Sequence, residues 1–86
     1  MREAWLEVTA HSTGVEVAVD DWEVFDFLED LFIEFGPEST SMRQYVQDGR
    51  RRYALTFDPN ISLEQVKATL DRISPGELDR IWRLNN

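Results

Sequence analysis

Between Asp20 and Gly36 the chain carries a single strongly amphipathic helix pattern, and the other elements have to supply a surface that covers it. At 100° per residue from Trp22, the residues Val24, Phe25, Phe27, Leu28, Leu31, Phe32 and Phe35 gather into an apolar stripe about 160° wide. That stripe is the expected core face. The opposite arc holds Glu23, Asp26, Glu29, Asp30 and Glu34, with Trp22 and Ile33 set among the carboxylates as two apolar residues out of place. Asp20 or Asp21 is expected to cap the helix, where a carboxylate accepts free backbone N–H groups. Gly36-Pro37 ends it.

Strand patterns stand on both sides of this helix. Residues 4–10 and 15–19 alternate around His11-Ser12-Thr13-Gly14, which predicts a first hairpin with Leu6, Val8, Ala10, Val15, Val17 and Val19 on one face. Trp5, Glu7, Thr9 and Glu16 then fall on the other. Residues 41–47 and 50–57 flank Asp48-Gly49, a dipeptide suited to the two-residue type I′ turn, whose central residues both need positive φ. The turn sets the register, pairing Gln47 with Arg50 and, further along, Met42 with Leu55. Met42, Val46, Tyr53, Leu55 and Phe57 are assigned to the core side of this hairpin, and Arg43, Tyr45, Arg50 and Arg52 to the outer side.

After the Asp58-Pro59-Asn60 loop, Ser62 and Gln65 form a capping-box pattern for a helix from Leu63 to Ile73. Ser74-Pro75-Gly76 stops that helix. Residues 78–84 read most simply as a last short strand, although Leu78, Ile81 and Trp82 also fit a helical turn. The expected order is β-β-α-β-β-α-β, or β-α-β-β-α-β if the first hairpin is one bent strand. Either order gives an α+β fold, two helices on one face of a four- or five-stranded antiparallel sheet, in the manner of the ferredoxin-like split β-α-β arrangement. The 86 residues suffice for one domain spanning 1–86, since a chain this short cannot support two cores.

Charge separates along the chain. The net -8 divides into -10 over residues 1–42 and +2 over residues 43–86. With no cysteine there is no disulfide framework and no thiolate chemistry, and no window carries the apolar run of a membrane span or a signal peptide. The expected location is therefore the cytoplasm, with no membrane partner.

Catalytic and cofactor motifs are missing from the pattern. One histidine, His11, cannot supply a two-histidine metal site, and the four glycines are too scattered to cradle a phosphate. The acidic run lacks the spacing of a calcium loop. No enzyme activity, metal or cofactor is expected.

The positive function that the sequence suggests is a protein-binding surface. Trp22, Glu23, Asp26, Glu29, Asp30 and Ile33 are its expected residues: an apolar pair anchored within carboxylates that steer a basic protein partner. Small acidic inhibitors of the immunity type work by the same physics. The alternative is a nucleic-acid or small-ligand regulatory module using Arg43, Tyr45, Arg50 and Arg52 on the sheet, or a homodimeric accessory subunit of an enzyme. A chain with a pI near 4.4 repels a polyanion at long range, so nucleic acid is the less favoured partner.

Overall fold

A computed structural model describes residues 5–85. Ala4, the first residue of the expected hairpin, lies outside this range. The elements in chain order are β1 (Leu6–His11), β2 (Gly14–Val19), α1 (Trp22–Phe35), β3 (Ser41–Gln47), β4 (Arg50–Thr56), α2 (Leu63–Leu70) and α3 (Glu77–Asn85). The four strands form one antiparallel sheet in the order β1-β2-β4-β3.

Each hairpin adopts the register its turn specifies. Leu6 lies opposite Val19 and Ala10 opposite Val15, while Gln47 pairs with Arg50 and Met42 with Leu55. Asp48 and Gly49 both have positive φ, at 54° and 75°, as a type I′ turn requires. Gly14 at the start of β2 is held at φ 130°, and a Cβ there would overlap the carbonyl oxygen of Phe57. Only glycine lets β2 approach the end of β4 this closely.

Helix α1 begins at Asp21, whose carboxylate accepts from the N–H groups of Glu23 and Val24, both at 3.1 Å. It lies across β2 and β4. Val24, Phe25, Leu28, Leu31 and Phe32 meet Val15, Val17, Val19, Leu55 and Phe57 in one buried cluster, completed by Val66 from α2. Helix α2 opens with the expected capping box, Ser62 accepting from the Gln65 N–H at 3.1 Å and Gln65 accepting from the Ser62 N–H at 2.8 Å. At Gly36 a Cβ would stand 2.6 Å from the Thr69 side chain, so the end of α1 and the flank of α2 also come together through a missing side chain.

Several expectations are corrected. The segment assigned to a last strand is helix α3, because Leu78, Ile81 and Trp82 sit at helical spacing and pack together against the core, a burial that alternation would divide between two faces. Three helices therefore accompany the described sheet instead of two, and α2 ends at Leu70, short of the expected Ile73. Phe35, placed in the core stripe, is half exposed and lies under the Arg72 guanidinium at 4.2 Å. Met42 and Val46, placed on the core side of their hairpin, face the correct side of the sheet but remain 56% and 69% exposed. A helix about 10 Å across covers two strands spaced about 4.8 Å apart. With α1 on β2 and β4, strand β3 is left bare.

Replacing Gly14 by Ala should lower the unfolding free energy by about 2–4 kcal/mol, from the disfavoured φ and the clash with Phe57 together. Gly49→Ala, at a turn with open space around it, should cost only about 1 kcal/mol. Urea denaturation of the two variants measures the difference.

Candidate functional site

Of the six expected binding residues, Trp22, Glu29 and Ile33 line the bare strip beside α1, while Glu23, Asp26 and Asp30 do not. Two adjoining hollows of about 200 Å³ and 390 Å³ run between α1 and β3 and share Met42 as common floor. The first is lined by Trp22, Phe25, Met42, Arg43 and Gln44, the second by Glu29, Ile33, Glu38, Ser39 and Met42. Trp22 and Ile33, eleven positions apart and 50% and 64% exposed, stand at the two ends of this groove. Helical geometry places them about 16 Å apart along the axis.

Trp22 is held while remaining accessible. Its ring lies 5.6 Å from Phe25 and 5.4 Å from Tyr53, the latter edge to face, so one side of the indole is packed and the other is open. Ile33 lies in the wider hollow with Met42. Glu23, Asp26 and Asp30 are exposed along the helix, and none of them makes an ion pair among the described residues. Glu29 is half-buried. Its Oε2 atom is fully buried with no hydrogen-bond donor among the described residues, although the residue lines the groove. A buried acceptor in that condition gains from any donor brought to it.

The arginine patch is arranged differently. Arg43, Tyr45, Arg50 and Arg52 lie on the sheet face away from the helices, as expected, but acids of the same chain meet the three guanidiniums. Arg43 donates Nε and Nη2 hydrogen bonds to the two carboxylate oxygens of Glu16, at 2.9 and 2.8 Å, and its guanidinium lies 4.3 Å over Tyr45. Asp20 stands 3.8 Å from Arg50 and 4.0 Å from Arg52. Arg52 is buried, with its guanidinium 3.9 Å over the Trp5 ring. Beneath these side chains Ala18 and Ala54 form a small, fully covered seam. The long polar side chains close over it with their stems.

The paired hydrogen bonds from Arg43 hold the Glu16 carboxyl below the ordinary glutamate value of 4.5, outweighing the burial that acts in the other direction. His11, expected in the first turn, is the exposed last residue of β1, paired with Gly14. Among the described residues no group of three or more His, Cys, Asp or Glu side chains is placed to hold a metal ion, and no helix is long and apolar enough to cross a membrane. No protein-family model matches the chain, and neither the curated proteins nor the solved structures contain a match.

Sequence reasoning named the α1 half of the groove and missed its β3 half. Met42, Gln44, Glu38 and Ser39, together with Phe25 and Arg43, make up the rest of the lining. The signal that could have identified them is the width of a helix set against the number of strands it must cover.

Because the folded carboxyl of Glu16 titrates below its unfolded value, its contribution to stability is complete above about pH 5 and is lost as pH falls through the lowered value. Glu16→Gln should therefore lose less stability than the wild type on acidification from about pH 5 to pH 3. At neutral pH the variant should be about 1 kcal/mol less stable, a modest figure because Arg43 is half exposed and water screens the pair. Urea titrations at a series of pH values check both expectations.

Proposed function

We propose that the chain is a non-enzymatic protein-binding domain that docks a basic protein surface on its α1–β3 side. The observation that carries this reading is the coincidence of exposed Trp22 and Ile33 with a groove lined by Glu29 and Glu38, beside a helix that carries five acids and no lysine or arginine. Apolar anchors of this kind hold a complex through the area they bury, while the surrounding charge raises the rate of encounter.

The distribution of pairing supports the same side of the molecule. On the opposite sheet face Glu16 and Asp20 meet the three arginines, Asp20 shared between Arg50 and Arg52, so that most of the positive charge there is compensated within the chain. The carboxylates of α1 have no such partners among the described residues. An immunity or inhibitor type of role, in which a small acidic chain blocks a basic target, matches this arrangement in its physics.

A partner captured on the immobilised protein from native lysate and released by salt supplies the test. Asp26→Lys with Glu29→Lys should lower its association rate about tenfold or more at low salt and flatten the salt dependence. Trp22→Ala and Ile33→Ala should act chiefly on dissociation, each raising the rate about tenfold. An association rate that charge reversal leaves unchanged overturns the proposal.

A further inference from the structure

From the hydrogen-bond parity of the sheet we infer the manner of docking: a basic, extended segment of the partner adds to the free edge of β3 as a fifth strand. The inference rests on the α1–β3 groove as a docking site and specifies the shape and chemistry of what enters it.

The parity follows from one bond. Phe57 N–H donates to Val15 O at 2.9 Å, so the odd-numbered residues of β4 direct their backbone groups toward β2 and the even-numbered ones toward β3. Through the pairing of Ala54 with Arg43 and Arg52 with Tyr45, the odd-numbered residues of β3 meet β4. The N–H and C=O groups of Met42, Gln44 and Val46 then point outward from the sheet, with no strand beyond them among the described residues. These residues also carry the side chains on the groove side. A segment hydrogen-bonded to them would set its own alternate side chains beside Met42 and Val46, because directly paired residues share a face.

Natural edge strands are commonly blunted by proline, bulges, lysine or very short length. Strand β3 has seven residues, with no proline, no lysine and an unbroken register to β4. Its one charged side chain, Arg43, points to the other face and is engaged by Glu16.

Charge complementarity identifies the occupant. Glu29, with its undonated Oε2, and Glu38 line the groove near Met42, and Asp26 lies on the same helix. A fifth strand sits about 4.8 Å beyond β3, a gap that the long side chains of lysine or arginine span and that aspartate or serine does not. Arg51, exposed across from Val46 near the hairpin tip, sets the direction of the preference: the cations of the segment belong at the Met42 end. A second copy of the chain fits less well, since it brings another net -8 to the same edge.

The probe is an acetylated, amidated peptide of about nine residues alternating lysine and valine, titrated at low salt against the full chain. Saturation should slow hydrogen exchange at the Met42, Gln44 and Val46 amides by about tenfold or more. Gln44→Pro, which removes an outward N–H and leaves the ladder to β4 intact, should weaken binding about tenfold with an unchanged thermal transition. If that variant fails to fold, the exchange measurement on the wild type decides. Binding that is lost in Asp26→Lys with Glu29→Lys, while the three amides stay fast and Gln44→Pro binds normally, overturns the fifth strand and leaves side-chain docking in the groove standing. No binding at millimolar peptide also overturns the fifth strand, and the docking reading is then decided by the captured partner alone. Protection of the same amides without peptide, with sedimentation giving a dimer mass that rises with concentration, assigns the edge to a second copy and overturns the inference.

Discussion

The placement of α1 across β2 and β4 determines the rest of the molecule. The stripe from Val24 to Phe32 is wide enough to cover the two central strands, and the small β-branched residues of β2 let it settle closely on them. With the helix in that position, Leu6 on β1 borders a hollow lined by Leu70, Ile73 and Leu78, while Met42 and Val46 on β3 stay exposed. Both the buried cluster and the open groove follow from one helix meeting two strands of a four-stranded sheet. Moving α1 one strand toward β3 would cover Met42 and uncover Val15, Val17 and Val19 on β2.

The two faces of the sheet handle charge in opposite ways. On the outer face, acids from β2 and its end meet arginines from β3 and β4, and the apolar stems of these side chains roof the Ala18–Ala54 seam. On the helical side, the carboxylates of α1 lie together with no cation on their own element. The surplus of acid in the first half of the sequence is therefore concentrated on the outer flank of α1, next to exposed apolar side chains. Ion pairs at a surface contribute little to stability, but they determine which charges remain available to another molecule.

Local chemistry was legible in the sequence where a feature depends on neighbours in the chain. The α1 cap, expected at Asp20 or Asp21 and found at Asp21, its stop at Gly36, the Ser62–Gln65 capping box and the register set by Asp48-Gly49 all depend on short-range geometry. Alternation placed Met42 and Val46 on the helical face but says nothing of whether a helix lies over them. Arg52 shows the same limit: its position over Trp5 requires β1 beside β2 and β2 beside β4, a strand order that no local pattern contains. The last segment reads as a strand because Trp82 and Leu84 on one face with Ile81 on the other satisfy a two-residue alternation almost as well as a helical repeat. The docking of Leu78, Ile81 and Trp82 against the core distinguishes the two. For the candidate site, the helical wall could be read from the sequence, whereas the strand wall required the sheet order.

The Glu16–Arg43 pair connects a central strand to the edge strand by reaching past β4, between residues 27 apart in sequence. In entropic terms it is a brace. An edge strand with one covalent neighbour and an exposed face would ordinarily fray, and a second chain would have to repay that freedom on arrival, at about 1–2 kcal/mol for each residue it ordered. Fastened at Arg43, β3 has already lost much of that freedom during folding, so the cost falls on the stability of the monomer and is not charged again at each encounter.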